Sequence, residues 1–433
     1  MPNKNYLILS LAIILLIGSY ALFSAGYESE VDRSPKETEK EVESSNGKVE
    51  REIKEEQNEV EDEKIDEKEA ERDEKEERKP EEEHEETEED SPVESTVSLV
   101  ESNPRNIVDC HYKVENVASP KGVSFRPNED EFWATSLMNK NYGLAVFNSD
   151  TGERLRDIQL PGGGGVEIIF NQDGSKAYVS QMETGRVFEV DANSKEITNT
   201  YDTGSSWTKV LTLKDNLIYA SNWSGNDISI IDINSGLQRR IPSTTTPRGI
   251  YLEDNFLYIA GFANGVIERK NLETGEAEEL ISTGGAMRDL VGTEKYIYAS
   301  DMANATVYRV NKDTGEVGKF VETENNPNTL RVAEREKILV VSNRGINHES
   351  GNYNIPGPEW GSLLFFNLES GELLDVVIGG NQPTGLDISE EKSLLVYSNF
   401  LDNNLVVCEF PDSQKWEDSP SEMTTDYKEK IKK

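Results

Sequence analysis

The sequence is poor in histidine and cysteine, and it has few basic residues relative to acidic ones. Its 433 residues include three histidines, two cysteines, and 45 lysines and arginines against 83 aspartates and glutamates, for a net charge of −38. Copper and haem sites need several histidine ligands, so neither is expected. Binding nucleic acid requires a basic face, so a nucleic acid partner is not expected either.

Motifs for catalysis are also missing. No G-x-S-x-G or H-E-x-x-H motif occurs, which excludes two common hydrolase arrangements. Histidine-dependent lyase chemistry would rest on His348 alone, because the other two histidines lie outside any expected site. We therefore assign no catalytic residue, no metal ligand and no cofactor, and we expect binding rather than catalysis.

The longest apolar run, residues 6–27, is long enough to span a bilayer. A lysine precedes it and an acidic segment follows, which favours a single-pass membrane anchor with the rest of the chain outside the cytoplasm. The alternative is a cleaved signal peptide with a small-x-small site at residues 19–21, which would make the protein secreted. No cysteine follows directly, which argues against a lipid anchor.

Residues 28–96 are dominated by glutamate, lysine, aspartate and arginine. Such a segment cannot bury a core, so we expect a disordered stalk or, because of its i,i+4 Glu–Lys pairs, a partly helical one. A few apolar residues hint at a coiled coil, but the heptad is not sustained. At the other end, residues 413–433 are polar and should form a disordered tail or a short helix on the rim of the domain.

Between residues 97 and 412 a pattern of four short strands recurs about every 40 residues. In the clearest copy, residues 207–246, the strands are expected at 210–213, 217–221, 228–231 and 237–241, between turns rich in Gly, Asn, Asp and Ser. The second strand and its loop mark the register, as in YASNWSGN from Tyr219, YIAGFANG from Tyr258 and YASDMANA from Tyr298. Seven copies are present, and a four-strand unit of this length is typical of a β-propeller blade.

These repeats resemble those of the YVTN-repeat propellers, a family of extracytoplasmic and surface-layer proteins. The resemblance covers residues 106–411 and implies an all-β, seven-bladed β-propeller. It does not assign a function, because propellers include both binding proteins and enzymes.

The last copy ends after its third strand, at residues 405–410, so the strand expected at residues 106–112 can complete that blade and close the ring. The two cysteines lie in these two strands. Aligned on the sixth blade, where Phe366 faces Leu373, they place Cys110 directly opposite Cys408. Opposed residues can meet disulfide geometry, and export permits oxidation. We predict a Cys110–Cys408 disulfide; two reduced core thiols are the alternative.

Two sets of residues should converge on one face of the disc, because the first strands start there and the second strands end there. The first set, at the start of the first strands, is cationic at four of its seven positions: Lys121, Val166, Lys209, Arg248, Arg288, Asn328 and Thr384. The second set, just after the second strands, is large and apolar at six of seven positions: Leu137, Met182, Trp223, Phe262, Met302, Arg344 and Phe400.

One interpretation is a shallow cup for a ligand with an anionic group and an apolar or sugar-ring part. The alternative is that these side chains plug the channel mouth. A long connection, residues 344–361, emerges on the same face and is either a binding loop or a tolerated insertion. Its expected contact residues are Tyr353, Trp360 and His348. The predicted ligand-binding residues are Lys121, Lys209, Arg248, Arg288, Trp223, Phe262, Met302, Arg344, Phe400, Tyr353 and Trp360.

We therefore expect an exported, membrane-tethered propeller that binds a cell-envelope or extracellular ligand or protein. The first alternative is a metal-dependent, lactonase-like hydrolase or lyase with its site at the channel mouth. Its donors could include Glu167, Asp289, Asn222, Asn343 and Asn399. The second alternative is a structural surface-layer component without a pocket.

Overall fold

The computed structural model describes residues 95–139, 142–418 and 420–433. They form seven antiparallel sheets, six with four strands and one with five, which is the predicted seven-bladed β-propeller. The expected membrane or signal segment, and the stalk up to residue 94, lie outside the described residues. Within the described part of the chain, no helix is long and apolar enough to cross a membrane.

Blades one to six each contain four strands in chain order, and the first strand of each lines the propeller axis. Blade one contains β3 (Pro120–Phe125), β4 (Glu131–Ser136), β5 (Leu144–Asn148) and β6 (Arg154–Ile158). Blade two contains β7 (Ile168–Phe170), β8 (Lys176–Gln181), β9 (Arg186–Asp191) and β10 (Glu196–Asp202). Blade three contains β11 (Thr208–Lys214), β12 (Leu217–Asn222), β13 (Asp227–Asp232) and β14 (Gln238–Pro242).

The remaining three blades continue the pattern. Blade four contains β15 (Pro247–Glu253), β16 (Phe256–Gly261), β17 (Val266–Asn271) and β18 (Ala277–Ser282). Blade five contains β19 (Met287–Gly292), β20 (Tyr296–Asp301), β21 (Thr306–Asn311) and β22 (Val317–Glu322). Blade six contains β23 (Pro327–Ala333), β24 (Ile338–Asn343), β25 (Ser362–Asn367) and β26 (Leu373–Ile378). Blade seven starts with β27 (Pro383–Ser389), β28 (Leu394–Asn399) and β29 (Asn404–Glu409), with a 3-10 turn at Phe400–Asp402.

The repeated turn between the third and fourth strands explains part of the sequence repeat. In blade one the side-chain oxygen of Asn148 accepts hydrogen bonds from the amides of Asp150 (3.0 Å) and Thr151 (2.9 Å). The residue after them, Gly152, has a φ of 73°, which favours glycine. The same arrangement recurs at Asp232 in blade three, and blades two, four, five and six use an Asn or Asp at the equivalent position.

Blade seven closes the ring, as predicted. The strand β2 (Cys110–Glu115) pairs with β29, Cys110 faces Cys408, and the two form a disulfide across 298 residues. The closing strand begins at 110 rather than at the expected 106, because the amides of Ile107 and Val108 donate instead to the Asp375 carboxylate (2.7 and 2.8 Å). A further strand that the sequence analysis missed, β1 (Val97–Leu99), pairs outside β2.

Residues after 412 pack on the outer edge of blade six, in the helical form that the sequence analysis had kept open. They form helix α1 (Ser413–Asp418), a 3-10 turn at Met423–Thr425 and helix α2 (Tyr427–Lys430). Trp416 lies against Phe365 and Phe410, with ring centroids 5.6 and 5.9 Å away. Met423, Tyr427 and Ile431 enter the cluster formed by blade six and its neighbour.

Candidate functional site

A buried layer of side chains surrounds the propeller axis at the face where the first strands start and the second strands end, which we call the loop face. Four of its members are Lys121, Lys209, Arg248 and Arg288, which we call the cation layer, and all four are buried. They line a cavity of about 170 Å³ whose walls come from the first strands, which we call the axial cavity. Val166, Asn328 and Thr384 complete the seven positions.

The second set, which we call the apolar layer, lies over the cation layer and is also buried. Trp223 and Phe262 are in contact, with ring centroids 4.7 Å apart, and share a cluster with Met302. Leu137, Met182 and Phe400 form a second cluster with a residue of the long connection, Tyr353, and with Val166 and the half-buried Trp207.

Contacts between cations and aromatic rings join the two layers. The Lys121 ammonium lies 4.8 Å from the Phe400 ring centroid, and the Lys209 ammonium lies 5.4 Å from that of Trp223. The Arg248 guanidinium is 5.2 Å from the Trp223 ring. Such contacts contribute about 0.5–2 kcal/mol each, most when desolvated. The structure thus brings nearly all the predicted residues together, with the cationic groups in contact with the aromatic rings.

The long connection completes this cover through Tyr353. Its hydroxyl accepts a hydrogen bond from Lys121 Nζ (2.8 Å), and its ring centroid lies 4.1 Å from the guanidinium carbon of Arg344. Its carbonyl oxygen accepts a hydrogen bond from Gln382 Nε2 (2.8 Å). Tyr353 therefore contacts blades one, six and seven and closes the axis at the loop face.

The other two residues proposed for this connection lie elsewhere. Trp360 is 36% exposed, and the Lys433 ammonium lies 4.4 Å from its ring centroid. The Trp360 amide donates to the carbonyl of Ile431 (2.7 Å), so this half of the connection pairs with the end of the tail. His348 Nδ1 lies 2.8 Å from Ser350 Oγ within the loop itself. Neither residue reaches the axial cavity.

Burial falls along the axis away from the loop face. The cation layer is buried, whereas three cavity-lining residues three positions further along the first strands are partly exposed: Ile169, Thr212 and Arg331. The side chains around the axial cavity are therefore most deeply buried at the loop face.

An ionic cluster that the sequence analysis missed in part lies further along the cavity. Arg331 Nε is 3.1 Å from Asp387 Oδ1, and Arg331 Nη1 is 3.8 Å from Asp289 Oδ2. Glu167 also lines the cavity. Burial disfavours its charged form and raises the pKa of Glu167 to about 7, and the carboxylate of Asp289 adds to this effect. Burial also raises the pKa of Asp289.

The alternative metal site would draw on residues that the structure separates. Glu167 and Asp289 line the axial cavity, but Asn222 donates to Asp227 (2.7 Å) and Asn399 donates to Asn404 (2.9 Å) inside their own blades. Asn343 donates to the carbonyl of Val341 (3.2 Å). In the part of the chain that the structure describes, no group of three or more His, Cys, Asp or Glu side chains is placed to hold a metal ion.

A local irregularity explains why Arg331 and Asp387 were missed. The pairing of the first and second strands shifts register in six blades, as between Pro327 and Leu330 and between Pro383 and Leu386. Such a bulge breaks the strict alternation of a strand, so a residue three positions after a channel-facing one can also face the channel. The recurrence of polar residues at this position in blades six and seven was the available signal.

No family model matches the chain. Antigen Lp49 of Leptospira interrogans (serogroup Icterohaemorrhagiae, serovar copenhageni) is 29% identical over 308 residues, covering 66% of this chain and 66% of the antigen, slightly less than two thirds of its length. The crystal structure of the computationally designed Ika8 protein covers 73% of this chain and 96% of its own, at 13% identity and a TM-score of 0.49. That likeness supports no argument about function.

Proposed function

We propose that the protein is an exported, non-catalytic binding module that recognises a protein or another cell-envelope component through its loop face. The observation that carries this proposal is the closed axis at this face combined with exposed apolar residues on the connection between blade six strands. Ile346 is 42%, Ile355 38% and Trp360 36% exposed. Three large apolar side chains exposed on one segment mark a candidate surface for a partner.

The geometry of the connection supports recognition of a macromolecule. Tyr353 holds its centre against the axis, and the tail pairs with its second half through Trp360, Glu359 and Lys432. The exposed residues are therefore presented on an anchored segment, which lowers the conformational entropy lost when a partner binds. Exposed aromatic and aliphatic anchors of this kind are typical of the centre of a protein interface.

The setting of this module is part of the proposal. The similarity to a protein named antigen Lp49 supports export of this module. We further propose that residues 6–27 anchor the chain in the membrane or direct its secretion, that residues 28–96 act as a stalk, and that the propeller is related to the YVTN-repeat, surface-layer type family. The long apolar run and the blade repeats support these points.

Three serine substitutions test the proposal. The triple variant with Ile346→Ser, Ile355→Ser and Trp360→Ser should bind at least about tenfold more weakly to envelopes isolated from the producing cells. Serine side chains cannot supply the apolar surface that the wild-type residues bury against a partner. Leu237→Ser is the matched control, since Leu237 is 74% exposed in a turn at the opposite face. Cosedimentation with the envelopes measures binding. If the triple variant, the control and the wild type bound equally, a loop-face interface would be contradicted.

Glu167 and Asp289 line the same cavity, which supports the lactonase-like alternative. Arg331, however, supplies the positive charge among these carboxylates, in contact with Asp289 and Asp387. A bound cation would be repelled there.

The second alternative is a structural surface-layer component. In that case the loop-face triple variant should impair self-assembly of the purified protein, whereas a binding module predicts that it impairs binding to envelopes.

A further inference from the structure

We infer that a gap between blades six and seven is a second binding site, which takes a small neutral organic molecule with an apolar body and a hydrogen-bond acceptor such as a carbonyl oxygen. This site shares no residue with the exposed patch of Ile346, Ile355 and Trp360. It is therefore independent of what the loop face binds.

The gap lies where the chain crosses between the two blades before the closing strand begins. Strand β1 lies on the outer edge of blade seven, whereas Asn106 Nδ2 donates to the carbonyl of Val376 in blade six (3.0 Å). The amides of Ile107 and Val108 donate to Asp375 in the same strand (2.7 and 2.8 Å). The segment between β1 and β2 therefore borders a cavity of about 430 Å³, which we call the interblade gap. This volume falls within the usual range for small-molecule sites, about 300–1,000 Å³.

Apolar side chains from both blades line the interblade gap. Val377 and Ile378 belong to β26 of blade six, and Val406 belongs to β29 of blade seven. Val377 and Val406 are also part of the hydrophobic cluster that the two blades share. Leu99 of β1 lines the gap and is 90% exposed, so the gap opens to solvent beside β1. The apolar body of a ligand can therefore leave water and become buried against these side chains.

One polar group in the wall of the gap has no partner. Tyr397 is 3% exposed and lines the gap, and its hydroxyl makes no hydrogen bond to any residue that the structure describes. Burial raises the pKa of Tyr397, so its hydroxyl is protonated at neutral pH and can donate. Leaving a buried hydroxyl without a partner is unfavourable. A carbonyl oxygen of a bound molecule would accept this hydrogen bond.

The charged groups along the gap favour a neutral ligand, because they already have partners or lie in solvent. Lys113 Nζ lies 2.6 Å from Glu115 Oε1. Asp402 accepts hydrogen bonds from the amide and the side chain of Asn381 (both 2.6 Å). Glu101 is exposed. A charged ligand would lose its hydration without gaining an unpaired charge of opposite sign.

Calorimetric titration of the full-length protein with acetophenone, an aromatic ketone, tests the site. Acetophenone should bind, whereas benzoate, an anion of similar shape, should bind at least about tenfold more weakly. Tyr397→Phe removes only the hydroxyl and should weaken acetophenone binding by about 3- to 10-fold, the range for loss of one neutral hydrogen bond. The same variant should bind ethylbenzene, which has no acceptor, like the wild type. The matched control Tyr219→Phe changes a buried tyrosine of blade three outside the gap and should bind acetophenone normally.

Infrared spectroscopy gives a readout that does not depend on affinity. The carbonyl stretch of bound acetophenone should lie at lower frequency in the wild type than in Tyr397→Phe, because donation from the hydroxyl weakens the carbonyl bond. Equal frequencies would overturn the contact with Tyr397. So would an equal loss of affinity for acetophenone and ethylbenzene.

Two further outcomes would overturn the site itself. If the wild type did not bind acetophenone, or bound benzoate more tightly, the gap would not be a site for neutral molecules. Ile378→Trp should fill the gap from β26 and abolish acetophenone binding, so unchanged binding would place the ligand elsewhere. The loop-face triple variant should bind acetophenone normally, which separates this site from the proposed function.

Discussion

Glu167 is the residue at which we expect the clearest effect of pH. Its carboxyl pKa is about 7 in the folded protein and 4.5 in the absence of burial. Between pH 4.5 and about 7, the folded state therefore keeps a proton on Glu167 that the unfolded state has released. The free energy of unfolding should fall as pH rises through this window, by up to about 3 kcal/mol. Urea denaturation at a series of pH values measures the slope.

The control for this prediction is an isosteric substitution. Glu167→Gln cannot ionise, so the variant should lose this part of the pH dependence and exceed the wild type in stability above pH 7. Glu279→Gln changes an exposed carboxyl on the outer strand of blade four and should keep the slope of the wild type. Identical slopes for Glu167→Gln and the wild type would contradict the assignment of the proton to Glu167.

At the scale of elements, the tail after residue 412 behaves as part of the propeller. Trp416 in α1 is buried between Phe365 and Phe410, and its Nε1 donates to the carbonyl of Pro411 (2.9 Å). Trp416→Ala should lower the free energy of unfolding by about 3–5 kcal/mol, because it removes a large buried ring. Chemical denaturation measures the change.

Another tryptophan provides the comparison for this element. Trp360 is 36% exposed, so Trp360→Ala should lower stability by about 1 kcal/mol or less. If Trp416→Ala lowered stability as little as Trp360→Ala, the contacts of α1 with blade six would contribute nothing to the free energy of unfolding. The tail would then be dispensable for folding.

The first strands show where element-level prediction failed. Their positions followed from the repeat, and so did the convergence of the cation layer and the apolar layer. The register shift in six of the seven first strands did not, and Arg331 and Asp387 follow this shift in blades six and seven. The long connection was recognised from its length alone, but nothing in its sequence distinguishes the buried Tyr353 from the exposed Trp360.

For the whole molecule, the disulfide between Cys110 and Cys408 ties the two ends of the ring. The bond links residues separated by 298 positions. The Cys110→Ser, Cys408→Ser double variant should therefore lose about 5–6 kcal/mol of stability by the chain-entropy model. Denaturation of the double variant and of the wild type gives the difference.

The reduced wild type is the control for ring closure. With a thiol reductant present, it should unfold at nearly the same denaturant concentration as the double variant, because both lack the covalent closure. A wild type that is equally stable with and without reductant would contradict a stabilising role for the bond. The β2–β29 pairing should hold the ring together in either case.

The sequence by itself determined the number of blades, the closing strand and the cysteine pair. The number of blades depends on contacts within one blade, where strands adjacent in the chain pair through short turns, so local spacing is sufficient. The closing strand and the cysteine pair join residues separated by 298 positions, but they follow from the same repeat because its last copy lacks a fourth strand. Only the tertiary structure decided that the channel mouth is filled, that Tyr353 reaches the axis and that α1 covers blade six. Those features arise where side chains from several blades pack together, and packing of residues far apart in the chain depends on shapes and bulges that no local pattern contains.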